Sequence, residues 1–174
     1  MRRRRSSSKG LNNIPPGLHD LFAYGTLMCE DIMQTVSGQR CEATPGVLRG
    51  YRRNRIRGEV YPGIIASPGG MVEGILYSGL AEDGWKRLDL FEGEMYRRCA
   101  VAVQLEDGTV REAETYVLRP QFEYRLTSEP WSLDEFLRSG KAQFESQYRG
   151  FAAVVKEEGY TRRLRRVDKN GGKA

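Results

Sequence analysis

The chain has 174 residues, of which 39% are hydrophobic and 29% are charged; this balance is typical of one soluble globular domain and excludes a disordered protein. Its apolar runs are far shorter than a membrane-spanning helix, and no signal-peptide core follows the start, so we expect no membrane partner and no secretion. Three cysteines without a close pair favour a reducing compartment, and the predicted location is cytoplasmic.

The net charge of +5 comes from the two ends of the chain. Residues 1–10 and 161–174 each carry a net charge of +5, so the part between them carries −5. We predict a basic disordered tail over residues 1–19, one domain over residues 20–153 and a basic C-terminal tail over residues 154–174. Such tails can bind polyanions weakly through counterion release, and we expect no specific nucleic-acid partner.

The first predicted elements are a strand and a helix joined by a glycine turn. The apolar run over residues 21–24 predicts a buried strand that ends at Gly25. Thr26 is the candidate N-cap of the following helix, and Gly38 is its predicted end. A glycine at this junction allows a ligand to approach the backbone closely.

Two hairpins are predicted in the middle of the chain. The first has extended stretches over residues 47–48 and 59–66 around an arginine-rich segment. Residues 68–70 form its predicted turn, and residues 71–77 form its returning strand. The second hairpin, over residues 99–118, turns at an Asp-Gly pair, which is a strong hairpin signal.

Two further helices complete the predicted elements. One covers residues 81–91, between the two hairpins. The last begins near Trp131, where Ser132 and Glu135 have the spacing of a capping box. Most elements are strands, and a helix separates the hairpins, so the order predicts a mixed α+β fold.

Several classes of cofactor-dependent chemistry have no support in the sequence. His19 is the single histidine, so a nucleophilic triad or a zinc site would have to be built on that one residue. No phosphate-binding loop and no dinucleotide-binding glycine motif is present in the sequence. We therefore expect no cofactor and no metal site.

Glu92 is the candidate catalytic carboxylate. On the predicted helix, Trp85, Leu88 and Phe91 form an apolar stripe. Glu92 lies within that stripe, near the negative end of the helix dipole. Burial disfavours the charged form of a carboxyl group, so we expect the pKa of Glu92 to be raised, which suits general acid–base chemistry near neutral pH.

The residues around Glu92 leave other arrangements open. The helix could fray at Gly93, so that Glu92 turns outward, or the carboxylate could pair with Arg97. Asp89, at the edge of the stripe, is expected to orient a neighbour or to meet a cation. Glu94 follows the helix end, and we expect it to be exposed.

A candidate binding site is the turn made of Tyr24, Gly25, Thr26 and Leu27. Free N–H groups at the start of a helix can hold a carboxylate or a developing oxyanion. An ordinary strand-to-helix turn has the same pattern, so the turn by itself does not identify a site. Together with one acid–base carboxylate, it would suffice for intramolecular acyl transfer.

Four stretches resemble, in order, the motifs of one known family. They are LFAYGTLM at residues 21–28, GYR with RGEVYPGI within residues 50–64, VEGILY at residues 72–77 and LDLFEGEMYRR at residues 88–98. By these motifs the chain resembles the gamma-glutamylcyclotransferase-like family over about residues 20–150. The late Trp131 and Phe136 resemble its plant branch, the avirulence-induced or AIG2-like proteins.

The resemblance implies a gamma-glutamyl cyclotransferase-like fold, which is a small twisted β-barrel of mixed strands flanked by helices. It also implies that the acid–base glutamate of the family falls on Glu92. The substrate loop of the family falls on the turn at residues 24–27, and a tyrosine beside its pocket falls on Tyr96.

The implied reaction is cofactor-independent and acts on a small-molecule γ-glutamyl substrate. The α-amino group attacks the γ-carbonyl of the same molecule, which releases 5-oxoproline and a free amine or amino acid. Three alternatives stay open: a γ-glutamylamine or γ-glutamyl-capped metabolite as substrate, a non-catalytic binding protein with the same pocket, and a nucleic-acid adaptor that works through the tails.

A dense group of arginines before residue 61 is a further candidate feature. Its members either add an anchor for an anionic substrate or face solvent, and they are Arg49, Arg52, Arg53, Arg55 and Arg57.

Overall fold

The computed structural model describes the backbone of residues 17–170 and the side chains of residues 17–159, and within them six strands form one sheet. The strands are β1 (His19–Ala23), β2 (Glu42–Ile56), β3 (Pro62–Leu80), β4 (Tyr96–Leu105), β5 (Val110–Leu118) and β6 (Leu126–Pro130). The sheet order is β3-β1-β5-β4-β2-β6, and β3 also pairs with β2, so that five strands close into a barrel. Among the strand pairs of the described residues, only the β1–β5 pair is parallel.

Helices cover the barrel between and after these strands. They are α1 (Glu30–Ser37), α2 (Glu82–Glu92), α3 (Leu133–Glu135), α4 (Lys141–Gln147) and α5 (Arg149–Asn170). Single 3-10 helices cover Thr26–Met28 and Pro120–Arg125, and a π-helical turn at Phe136–Gly140 joins α3 to α4. The predicted mixed α+β class and the implied β-barrel flanked by helices are confirmed.

Strand β1 is buried on both faces. Phe22 belongs to a cluster with residues from all the other barrel strands, which fills the barrel interior. Leu21 and Ala23 belong to a second cluster, which lies between the barrel and the helices. A strand covered on both sides buries successive side chains, so this central position explains the continuous apolar run that begins at Leu21.

The first predicted hairpin is wrong in its details. Strand β2 is continuous, and its arginines lie within the strand rather than between two strands. Strand β3 is also continuous, and the predicted turn at residues 68–70 lies inside it. The register of the β2–β3 pair shifts between Arg49 and Tyr51. A Cβ atom on Gly70 would lie 2.2 Å from the carbonyl oxygen of Tyr51, so this glycine permits a close approach rather than a chain reversal.

The second predicted hairpin is confirmed. Strands β4 and β5 pair along their whole length, from Tyr96 opposite Leu118 to Gln104 opposite Val110. At the turn, Gly108 has a φ of 82°, and an Asp107 carboxylate oxygen accepts a hydrogen bond of 2.9 Å from the backbone N–H of Thr109. Local turn chemistry therefore determines this hairpin, as the Asp-Gly pair predicts.

The predicted N-cap of the first helix is wrong by three residues. Thr26 lies in the 3-10 turn and does not cap α1, which begins at Glu30 after Cys29. Gly38 ends α1 in the left-handed conformation, as predicted. Near the other end of the chain, the side-chain hydroxyl of Ser132 accepts a hydrogen bond from the N–H of Glu135, as the capping-box spacing predicts.

Helix α5 extends beyond the predicted domain end at residue 153. Val154 is buried in the cluster between barrel and helices, and Glu158 forms an ion pair with Arg87 of α2. The backbone is helical to residue 170, which differs from the expected tail. The predicted tail residues 1–16 and 171–174 lie outside the described residues. Among the helices of the described part, none combines the length and the apolar character that a membrane span requires.

Candidate active site

The six predicted site residues line one cavity. Glu92, the turn residues Tyr24, Gly25, Thr26 and Leu27, and Tyr96 all line a cavity at the junction of β1, α2 and β4, whose empty space including its open mouth is about 410 Å³. They lie together because the last residue of α2, the turn after β1 and the first residue of β4 all meet at this cavity. The structure thus brings the sequence candidates to one place, while their roles stay predictions.

Glu92 is the last residue of α2. The next residue, Gly93, has a φ of 73° and ends the helix. The side chain of Glu92 lines the cavity. Its side chain is half-buried, and among the described residues its carboxylate accepts no hydrogen bond and forms no ion pair. Neither fraying nor a pair with Arg97 is observed.

The surroundings of Glu92 raise its pKa to about 8. Burial is the larger cause, because it disfavours the charged carboxylate, and the negative charge of Asp89 is the smaller one. A group with a pKa near 8 exchanges its proton readily at neutral pH, which is the property that a general acid–base requires.

Asp89 lies one turn before Glu92 on α2 and has partners that Glu92 lacks. One of its carboxylate oxygens accepts a hydrogen bond of 2.7 Å from the hydroxyl of Tyr116 and lies 3.0 Å from Nε of Arg98. The expectation that Asp89 orients a neighbour and meets a cation is confirmed. Its charge is balanced at the surface, whereas that of Glu92 is not.

The turn after β1 presents unpaired N–H groups. Within the described part of the chain, the backbone N–H groups of Gly25, Thr26 and Leu27 have no hydrogen-bond acceptor, while the next two donors, Met28 and Cys29, bond inside the 3-10 turn. The three free donors belong to residues that line the cavity. They can therefore hold a carboxylate or an oxyanion.

Gly25 is needed for close packing. A Cβ atom at this position would lie 2.9 Å from Cγ of Pro62, which also lines the cavity. The carbonyl oxygen of Pro62 accepts a hydrogen bond of 2.8 Å from the hydroxyl of Tyr96. Tyr96 therefore lies beside the cavity and holds this wall.

Three of the cavity tyrosines, Tyr24, Tyr96 and Tyr148, donate their hydroxyl groups to backbone carbonyls. Tyr24 donates to the carbonyl of Tyr116 at 2.6 Å, and Tyr148 donates to the carbonyl of Phe91 at 2.8 Å. Burial raises the pKa of Tyr24 and of Tyr96 well above the ordinary value, so both phenols stay protonated. These tyrosines form rigid neutral walls around the one acidic group.

Several cavity residues were not identified as site residues from the sequence. Tyr61 and Pro62 lie within one of the motifs, whereas Tyr116, Phe144 and Tyr148 lie outside all of them. The parallel pairing of β1 with β5 brings Tyr116 to the cavity, and the helices after β6 bring Phe144 and Tyr148. No local pattern predicts such contacts, because they depend on strand order and helix docking.

A larger open groove continues from the cavity. Its empty space, counted out into the solvent, is about 1010 Å³, and it shares the side chains of Tyr61, Phe144 and Tyr148 with the cavity. Its other walls contain apolar, amide and charged groups of both signs, from Glu59, Val60, Glu94, Met95, Phe122, Arg125, Gln143, Gln147 and Arg149. The cavity is thus closed on the barrel side and open on the helix side.

None of the five arginines of the predicted group lines the cavity; four of them lie on β2, and Arg57 follows its last residue. Arg52 bonds to Asn54, and Arg55 lies within 4 Å of Glu129 and Glu135. Arg53 alone touches the turn, and it does so from outside the cavity. In the described part of the chain, no group of three or more His, Cys, Asp and Glu side chains is placed to hold a metal ion.

Known proteins with similar sequences and structures agree with this architecture. Residues 21–133 match the family model described as gamma-glutamyl cyclotransferase, AIG2-like. AIG2-like protein C of Arabidopsis thaliana is 32% identical over 134 residues, which are 76% of this chain and 77% of that protein.

Solved structures match over a similar part of the chain. A solution structure of an Arabidopsis thaliana protein has a TM-score of 0.60 at 28% identity and covers 76% of this chain and 89% of that one. A solved gamma-glutamyl cyclotransferase has the same fold, with a TM-score of 0.56 at 14% identity, over 79% of this chain and 86% of that one. From its motifs, its barrel and these relatives, the chain belongs to the gamma-glutamyl cyclotransferase, AIG2-like family.

Proposed function

We propose that this protein is a cofactor-independent γ-glutamyl cyclotransferase with Glu92 as its acid–base. The observation that carries the proposal is the unpaired carboxylate of Glu92, with a pKa of about 8, in the same cavity as the free N–H groups of the turn. Cyclisation of a γ-glutamyl group needs one proton carrier and one set of hydrogen-bond donors, and this cavity offers both.

The ionised Glu92 takes a proton from the α-ammonium group of the substrate, and the neutral amine attacks the γ-carbonyl carbon. A bond forms between this nitrogen and the γ-carbon, and the bond from the γ-carbon to the leaving nitrogen breaks. Glu92 returns its proton to the leaving nitrogen. In all, two protons pass from the attacking nitrogen to the released amine, which departs as an ammonium ion beside 5-oxoproline.

The turn and the tyrosine walls position the substrate for this step. The N–H groups of Gly25, Thr26 and Leu27 hold the substrate carboxylate or the oxygen of the tetrahedral intermediate. Tyr24 and Tyr96 shape the cavity so that the γ-glutamyl chain is folded on itself. Because both reacting groups belong to one molecule, this folded geometry supplies much of the rate.

The open groove receives the leaving group. It begins at Tyr61 and Tyr148, where the cavity ends, and its walls carry apolar and charged groups of both signs. An open groove of this kind accommodates leaving groups of different sizes, and these include both amino acids and amines.

The test is a panel of γ-glutamyl amino acids, γ-glutamylamines and glutathione, incubated with the purified protein and analysed for 5-oxoproline by mass spectrometry. We expect release from at least one compound. Glu92→Gln, which keeps the shape of the side chain, should reduce turnover about 1000-fold, a typical range for the loss of an acid–base.

The matched control is Glu112→Gln. Glu112 is an exposed carboxylate on β5 that lines neither the cavity nor the groove, so its loss should leave turnover unchanged. Undiminished turnover in a folded Glu92→Gln protein would contradict the assignment. A folded wild-type protein that binds γ-glutamyl compounds in thermal-shift measurements, but releases no 5-oxoproline, would instead indicate the non-catalytic binding alternative.

A further inference from the structure

Arg53 donates a hydrogen bond to the backbone of the turn from outside the cavity. Its Nη1 atom donates a hydrogen bond of 2.7 Å to the carbonyl oxygen of Tyr24 and another of 3.0 Å to that of Glu73 on β3. The guanidinium carbon lies 5.2 Å from the ring centre of Trp131, which stacks against it from the other side. Arg53 therefore joins the start of the turn to strand β3.

The carbonyl that Arg53 holds belongs to the peptide group between Tyr24 and Gly25. A trans peptide is planar, so its N–H points opposite to its C=O. Gly25 lines the cavity, whereas Arg53 does not. A hydrogen bond that pulls the Tyr24 carbonyl away from the cavity consequently turns the Gly25 N–H towards it.

Two further contacts hold the same turn in place. The hydroxyl of Tyr77, which also lies outside the cavity, donates a hydrogen bond of 2.7 Å to the carbonyl of Leu27. The carbonyl of Gly25 accepts the N–H of Met28 at 2.9 Å inside the 3-10 turn. With its carbonyls held in these ways, the turn presents donors, and not acceptors, to a bound molecule.

The other β2 arginines do not have this arrangement. Arg52 is exposed and bonds to the side chain of Asn54. Arg55 meets the carboxylates of Glu129 and Glu135. Arg53 is half-buried and, within the described residues, has no carboxylate partner, so its donors serve backbone carbonyls.

We propose that Arg53 is a positioning residue, which orients the Gly25 N–H so that it binds the α-carboxylate of the γ-glutamyl substrate. This inference rests on the proposed function. The carboxylate is common to every γ-glutamyl compound and to the product 5-oxoproline, and it is unchanged during the reaction. Loss of Arg53 therefore weakens binding of substrate and product equally and leaves the chemical step at Glu92 nearly intact.

The experiment compares Arg53→Gln, Arg53→Lys and Arg52→Gln with the wild type. We measure kcat and KM for the compound that the panel identifies, and Kd for 5-oxoproline by calorimetry. Arg53→Gln should raise both KM and Kd about tenfold, as expected for one hydrogen bond to a charged group, with kcat within threefold of the wild type. Arg53→Lys should recover part of the loss, and Arg52→Gln should behave as the wild type.

The pattern distinguishes positioning from a purely structural role. A variant that is only less stable loses active protein, which lowers kcat and leaves KM and Kd unchanged. That result, or unchanged constants throughout, would overturn the inference. If Arg53→Gln does not fold, Arg53→Lys decides the question, with an expected rise of about threefold in KM and Kd. A wild-type protein without cyclotransferase activity would overturn the proposed function and this inference with it, whereas an active wild type with unaffected Arg53 variants overturns the inference alone.

Discussion

The cavity at Glu92 and the arginine-rich part of β2 are both rich in polar groups, but the charged groups of β2 have hydrogen-bond or ion-pair partners and Glu92 does not. On β2 the guanidinium groups of Arg53 and Arg55 reach backbone carbonyls or carboxylates. In the cavity, Glu92 has no partner among the described residues, and its pKa is raised to about 8. A satisfied charge supports structure, whereas an unsatisfied one at a cavity is available for chemistry.

This difference also explains why a dense cluster of charges is a poor guide to a site. Five arginines stand out in the sequence more than one glutamate at a helix end. Their contacts nevertheless hold strands, turn and helix together, as when Arg53 stacks on Trp131. The four predictions below test the contrast, from the largest expected effect to the smallest.

Gly25→Ala should damage the cavity most. The added Cβ would lie 2.9 Å from Cγ of Pro62, which cannot rotate away, so the turn must shift. Misplacement of the reacting groups by about 1 Å can cost about 100-fold in rate, and we expect a loss of that size in kcat/KM. Gly159→Ala, where nothing lies within 4 Å of the new atom, is the control and should keep full activity. Normal turnover by Gly25→Ala would argue against a tightly packed turn.

Glu92→Gln should make the protein more stable at high pH. The raised pKa means that folded Glu92 binds its proton more tightly than unfolded Glu92, so its contribution to stability is present below about pH 4.5 and is lost as pH rises through about 8. Because the neutral glutamine avoids this loss, and solvent in the cavity screens part of it, we expect a gain of about 2 kcal/mol in the free energy of unfolding at pH 9.

Urea denaturation at pH 4.5 and pH 9 measures this effect. The two proteins should have nearly equal stability at pH 4.5 and should separate as the pH rises. Exposed Glu94, changed to Gln, should show no such divergence. A wild-type protein that stays as stable as Glu92→Gln at pH 9 would mean that Glu92 ionises without cost.

Asp89→Asn should shift the pH dependence of activity. Ionised Glu92 is the active form, so kcat/KM should rise with pH up to about 8 in the wild type. Removal of the neighbouring negative charge lowers the pKa of Glu92 and moves this rise to lower pH, with an increase of a few-fold at pH 7. An asparagine oxygen can still accept the Tyr116 hydroxyl. Asp83→Asn in the first turn of α2 is the control. If the rise of kcat/KM with pH does not move in Asp89→Asn, the charge of Asp89 does not influence the pKa of Glu92.

Arg55→Gln should have the smallest effect. Its ion pairs, at 3.8 Å to Glu129 and 3.6 Å to Glu135, are partly exposed, and such pairs contribute less than about 1 kcal/mol. The free energy of unfolding should therefore fall only slightly, with kcat/KM within twofold of the wild type. A large loss of activity here would show that this part of β2 takes part in binding.

The candidate site illustrates what local patterns can and cannot predict. The helical spacing of Trp85, Leu88 and Phe91 indicates that Glu92 faces the core, and the structure places it at the cavity. In contrast, Arg53 resembles its neighbours in the sequence, and its position at the turn depends on the pairing of β2 with β3. The spacing of apolar residues along an element indicates which of its faces is buried, but not which residues of other elements pack against that face.

By itself, the sequence determined the elements whose signals are local: the buried strand β1, the Asp-Gly hairpin of β4 and β5, and the apolar face of α2 that carries Glu92. Tertiary structure alone decided that β2 and β3 run unbroken through their arginines and glycines, and that tyrosines from distant elements enclose the cavity. The reason is the range of the interactions. Turn chemistry and helical spacing act over a few residues, whereas the hydrogen bond from Tyr24 to Tyr116 joins groups 92 residues apart and leaves no trace in either neighbourhood.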